Sequence, residues 1–142
     1  MPSVTKSVEL SRSPEEAFAL ATDTSRFGEW LTLHAGWPNG EPGAPEQGAE
    51  FKQTLKFMGM PAEVEWKVEE LDAPTKLVMR GAGPMGAQLA TTITVEPSGD
   101  GSQVSYEAEF SGGAIQGPMG DVVTQNAGSE IDTSLAKLKE LA

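Results

Sequence analysis

Histidine is the side chain best suited to moving protons at neutral pH, with an ordinary pKa of about 6.5. This chain of 142 residues has one, His34. It stands between Leu33 and Trp37, just ahead of a stretch crowded with glycine and proline. As a general base His34 would take a proton from a carbon next to a carbonyl, and the developing enolate would need donors to hold it. Gln53, Arg80, Tyr106 and Asn126 offer such donors. Strand parity turns Gln53 and Tyr106 inward, whereas Arg80 depends on the register of its strand. The alternative role is structural, a lone histidine beside a tryptophan that packs or lines an interior.

The apolar inventory points to binding. Trp30, Leu33 and Trp37 cluster ahead of the loop, and Phe57, Met60 and Trp66 come from one hairpin. Met79, Met85, Phe110, Met119 and Val123 come from other elements. Thioethers are flexible and fill irregular spaces, which suits a pocket for varied apolar shapes, although ordinary core filling uses the same residues. Asn126 interrupts the apolar stripe of the last helix and needs a partner there: a ligand oxygen, a backbone carbonyl or water.

Other chemistries drop out. The chain has no cysteine, so disulfides, thiolate catalysis and sulfur-ligated metals are excluded, and one histidine cannot build a multi-histidine zinc site. The acids Glu63, Glu65 and Glu69 share the outward face of a strand, so no metal site is expected. Gly81-Ala82-Gly83-Pro84-Met85-Gly86 matches G-x-G-x-x-G, yet a strand-like alternation follows where a dinucleotide site needs a helix. That segment reads as a hairpin bend, and no cofactor is expected. A formal charge of −11 would repel a phosphate backbone, so nucleic acid is not an expected partner. No apolar run is long enough to cross a membrane and no leader-like segment opens the chain, so a cytoplasmic protein of one domain, residues 1–142, is expected.

The elements that must position these residues follow from local pattern. Val4, Val8 and Leu10 alternate as a first strand. Ser13, Pro14 and Glu16 then form an N-cap, a first helical position and a capping-box acid. Two short helices in tandem carry Ala17, Phe18 and Ala21, then Phe27, Trp30 and Leu31. Residues 35–48 hold too many glycines and prolines for a regular element, and read as a lid-like or surface loop. From Glu50 the period is two: Phe51, Leu55 and Phe57; Val64, Trp66 and Val68; the run Lys76–Arg80; Leu89, Thr91, Ile93 and Val95; Val104, Tyr106, Ala108 and Phe110. With the first strand this makes six. A long final helix opens at Pro118 and carries Met119, Val122, Val123, Asn126, Ile131, Leu135, Leu138 and Leu141 on one face.

One long helix cannot cover a twisted six-stranded antiparallel sheet, so the sheet is expected to curl around it and enclose an apolar cavity. This α+β order, a helix-grip arrangement, resembles the Bet v 1/START-like (SRPBCC) superfamily and, within it, the polyketide cyclase/dehydrase branch. The segment Phe27-Gly28-Glu29-Trp30-Leu31-Thr32-Leu33-His34 with Trp37, together with Gly59-Met60-Pro61, Gly81–Gly86 and Gly117-Pro118-Met119-Gly120, is similar to small actinobacterial members. Some of those are described as toxins of toxin–antitoxin pairs. The resemblance implies a small hydrophobic ligand (lipid, polyketide or isoprenoid) held between sheet and helix. Its alternatives are a cyclase or dehydratase using His34 as base, and an interaction protein with an antitoxin-like partner. The superfamily hosts all of these on one fold.

Overall fold

Alternation of apolar and charged residues along the middle of the chain becomes a sheet with one buried face. The computed structural model describes residues 3–38, 40, 42–43, 46–57, 59–83, 86–112 and 118–142. Strand β1 (Ser3–Leu10) leads to α1 (Pro14–Ala21), a 3-10 turn (Thr24–Arg26) and α2 (Phe27–Trp30). The short strand β2 (His34–Gly36) precedes the long loop. Then come β3 (Glu50–Phe57), β4 (Met60–Asp72), β5 (Lys76–Ala82), β6 (Gln88–Ser98), β7 (Gly101–Ser111) and the helix α3 (Pro118–Leu141). All neighbours are antiparallel, in the order β1-β7-β6-β5-β4-β3-β2.

The expected six strands are present, and β2 is a seventh. It has three residues and a register shift between His34 and Gly36, which is too short for a period to show in sequence. Elsewhere the parity holds: Val64, Trp66 and Val68 on β4, Leu77 and Met79 on β5, Thr91, Ile93 and Val95 on β6, and Val104, Tyr106, Ala108 and Phe110 on β7 are all buried. The curled sheet and the long terminal helix make the helix-grip arrangement. Ser13 caps α1 by accepting from Glu16 N at 3.2 Å, with Pro14 in the first helical position.

The buried face of α3 differs from the expected stripe. Val123, Ala127, Ile131, Ser134, Leu135 and Leu138 turn inward, whereas Val122 is exposed and Asn126 lies on the solvent side. Val123, Ile131, Leu135 and Leu138 of the expected stripe are kept, and the helix packs closely on β1 at Gly128. A Cβ at Gly128 would stand 3.4 Å from Val4 Cγ2 and 3.6 Å from Lys6 Cε. Lys6 Nζ also meets Asp132 at 3.3 Å on that seat.

The loop after β2 is fastened at several points. Thr24 Oγ1 donates to Gly43 O at 2.8 Å, Gly48 N to Val68 O at 2.8 Å, and Val68 N to Ala49 O at 2.9 Å. Trp37 packs edge-on to Phe51 with centroids 5.8 Å apart.

One glycine makes room for the most important ring. Gly81 on β5 stands opposite Trp66 on β4, and a Cβ there would come within 2.6 Å of Val64 Cγ1 and 2.8 Å of Trp66 Cε3. Gly81→Ala is therefore expected to destabilise the fold by about 1–3 kcal/mol, the usual cost of overpacking. Urea unfolding should show a lower midpoint with unchanged slope, and an unaltered midpoint would mean that the indole yields without strain.

Candidate functional site

Three adjacent strands carry a chain of side-chain hydrogen bonds across the inner face of the sheet. Gln53 on β3 stands opposite Val64 on β4, which places Trp66 on its diagonal. On the other side Leu55 stands opposite His34, which places the imidazole on the other diagonal. Long side chains reach along such diagonals. Trp66 Nε1 donates to Gln53 Oε1 at 2.9 Å, and Gln53 Nε2 lies 2.8 Å from His34 Nδ1.

The chemistry of the three groups sets its direction. An indole can only donate, so the amide oxygen faces Trp66 and the NH2 faces His34. The NH2 can only donate, so Nδ1 accepts and the neutral imidazole carries its hydrogen on Nε2. Reversing the amide would set donor against donor at Trp66. Gln53 is buried, so the loss of either bond would leave a polar group unsatisfied at a cost of about 1–3 kcal/mol.

Aromatic rings wall this chain. His34 and Trp37 centroids are 4.7 Å apart, and Phe27 stands 5.8 Å from Trp37, 6.1 Å from His34 and 5.8 Å from Trp30. The segment bearing His34 is pinned from both sides. Lys56 N donates to Leu33 O at 2.8 Å, tying it to β3. Thr32 N donates to buried Ser134 Oγ at 2.9 Å, and Ser134 Oγ in turn donates to Glu130 O at 2.8 Å, tying it to α3.

The predicted residues divide sharply. Gln53, Trp66, Trp30, Met79, Tyr106, Phe110 and Val123 are buried on the inner side, with Leu33, His34 and Trp37 half-buried. Burial pushes the Tyr106 phenol pKa up, opposed by its hydrogen bond with Thr91. Met60 is 70% exposed at the β3–β4 turn. Asn126 donates to Val122 O of its own helix at 2.9 Å, so the helix supplies the partner its polarity requires. Arg80 points outward and pairs with Glu69, so it is not an interior donor. Met85 and the side chains of Phe57 and Met119 lie outside what the structure describes. Sequence reasoning missed Phe27, against His34 and Trp37, and Phe51, against Trp37, as parts of this aromatic wall. The signal was present: Phe51 shares strand parity with Gln53.

The outward acids behave as a solvated face, Lys52 Nζ meeting Glu63 at 3.5 Å and Glu65 at 3.4 Å. An open groove of about 310 Å³ lies elsewhere, among Arg12, Glu16, Leu20, Asp23, Arg26 and Leu141. It shares no residue with the histidine cluster, and its arginines are tied to Glu16 and Glu29 in exposed pairs, so it is surface relief.

This geometry makes His34 a hydrogen-bond donor through Nε2. For His34 to act as the general base expected from sequence, the Gln53 bond to Nδ1 would have to open or the ring hydrogen move from Nε2. Burial also holds the His34 pKa below its ordinary value. A histidine depressed in the folded state binds fewer protons than in the unfolded chain, so its contribution to stability is full above about pH 6.5 and is lost as pH falls through the folded value. Two results are expected. The Cε1–H resonance of His34 titrates below pH 6.5, and His34→Gln loses less stability than the parent between neutral and mildly acid pH. Gln53→Glu gives Nδ1 an acceptor and moves that titration upward; a titration unmoved by it would show that Gln53 does not govern the ring.

Comparison with known proteins agrees with this architecture. The whole chain, residues 1–142, matches the family model described as polyketide cyclase/dehydrase and lipid transport. An uncharacterized Mycobacterium tuberculosis protein, Rv1546, is 31% identical over 141 residues, covering 99% of both chains. A protein of the same organism named Toxin Rv0910 is 30% identical over 135 residues, covering 95% of this chain and 94% of its own. A START superfamily structure from Mycobacterium smegmatis superposes with a TM-score of 0.73 at 16% identity, over 97% of this chain and 94% of that one. With the family model matched from end to end and relatives above 30% identity along their full length, the chain belongs to the polyketide cyclase/dehydrase and lipid transport family.

Proposed function

We propose that the protein binds a small hydrophobic ligand between the sheet and α3, in the class of lipids, polyketides or isoprenoids. The observation that carries this reading is a short polar chain set among aromatic walls and ending in an unpaired donor. Small-molecule sites have that composition: mostly apolar, with a few fixed polar groups that orient the ligand. Family membership supports the same reading, because the family is described by lipid transport as well as cyclisation. Trp30, Trp37, Gln53, Trp66, Met79 and Tyr106 are the lining we assign. The charge of −11 argues against nucleic acid as partner, and Lys52 and Arg80 on the outer face are already paired with Glu63, Glu65 and Glu69. The proposed location is the cytoplasm; no helix among the described residues is long and apolar enough to cross a membrane.

One observation favours a second reading, the likeness to a protein named Toxin. A protein partner that neutralises this chain would be its counterpart, and affinity capture from the native host followed by growth assays tests it.

Binding is tested by native mass spectrometry of protein purified from its host and by thermal shift against a panel of lipids, polyketides and isoprenoids. A ligand at a hundred times its Kd stabilises by about 2.7 kcal/mol and should raise Tm by several degrees. A chain that is always empty and never shifts would contradict the proposal.

A further inference from the structure

The polar groups of the site restrict which hydrophobic ligand it suits. The Trp66–Gln53–His34 chain leaves His34 Nε2–H as its free end, and no protein atom accepts from it among the described residues. A second donor stands on the same aromatic cluster. Trp30 is 1% exposed, its ring is 5.8 Å from Phe27, and its Nε1–H has no partner among the described residues. An orphaned buried donor costs about 1–3 kcal/mol unless something accepts from it. Both groups are neutral donors, so the complementary ligand atom is an acceptor.

Charge decides which acceptor. The cations of β3, β4 and β5 all lie on the outer face: Lys52 is held by Glu63 and Glu65, Arg80 by Glu69 and Lys76 by Glu70, and Lys56 and Lys67 are exposed. No cation faces the histidine cluster, and the chain as a whole carries −11. A carboxylate buried there would lose its hydration without gaining a counter-ion. A carbonyl oxygen needs only the hydrogen bond.

We infer that the ligand presents an uncharged carbonyl oxygen, of a ketone, ester or quinone, on an apolar frame, and that His34 Nε2–H is the group that receives it. Trp30 Nε1–H, on the far side of Phe27, is a second neutral donor without a partner among the described residues. This rests on the binding function proposed above and narrows it: ionised fatty acids are excluded and neutral carbonyl compounds are selected.

The test uses N-phenyl-1-naphthylamine as a neutral fluorescent reporter, displaced by a matched set: 2-acetylnaphthalene, 2-ethylnaphthalene and 2-naphthoate. The acetyl compound is expected to bind about fivefold more tightly than the ethyl compound, the worth of one hydrogen bond, with the naphthoate weakest. In His34→Phe the acetyl-to-ethyl ratio should fall to near one, whatever change in affinity the two compounds share. On the unaltered protein, the ring ¹⁵N signal of the sole histidine should move at Nε2 with 2-acetylnaphthalene and stay with 2-ethylnaphthalene, which keeps the test independent of how the variant folds. Equal binding of the acetyl and ethyl compounds, or tightest binding of the naphthoate, overturns the carbonyl assignment and leaves ligand binding standing. If neither the reporter nor any naphthalene binds, both fall.

Discussion

An indole N–H cannot accept a hydrogen bond, and the site depends on that one-way property. Trp66 is buried on a strand in the middle of the sheet, and its only polar atom meets the oxygen of Gln53. From there the orientation of the amide and the tautomer of His34 follow without further choice. A residue able to both donate and accept in place of Trp66 would leave the imidazole free to exchange its hydrogen between nitrogens. With tryptophan there, the ring is held neutral and donating.

The fold serves this arrangement through spacing more than through bulk. Gln53 reaches both partners because they occupy its two diagonals on neighbouring strands, one of them the three-residue strand β2. Gly81 leaves the volume that the Trp66 ring fills, and the nearest heavy atom to a Cβ at Gly28 would be His34 Cδ2, at 3.9 Å. The buried Ser134 hydroxyl ties the preceding segment to α3, so the long helix braces the histidine as well as covering the sheet. Such bracing fixes the direction of the imidazole, and under the proposed binding role it would lower the entropy lost on binding.

The period-two strands, the Ser13 cap and the terminal helix were legible because each rests on local pattern. Gln53 and Tyr106 were placed inward by parity alone, and both are buried. Three residues of strand leave no period to read, so β2 was invisible, and with it the pairing that brings His34 to Gln53. Met60 and Asn126 were misjudged for a related reason. Their residue types suit a pocket, but a turn exposes the one, and the other lies on the solvent side of α3 bonded to its own helix. The tautomer of His34 was out of reach of the sequence, since only the partner at Nδ1 sets it.

The tautomer of His34 is the most direct measure of the central claim, and a sole histidine makes it unambiguous. A long-range ¹H–¹⁵N correlation spectrum at pH 7.5 reports which ring nitrogen carries the hydrogen. The account predicts a pyridine-like Nδ1 and a pyrrole-like Nε2. The opposite pattern, or rapid averaging of the two, would show that Trp66 and Gln53 do not set the ring, and the donor role would be contradicted.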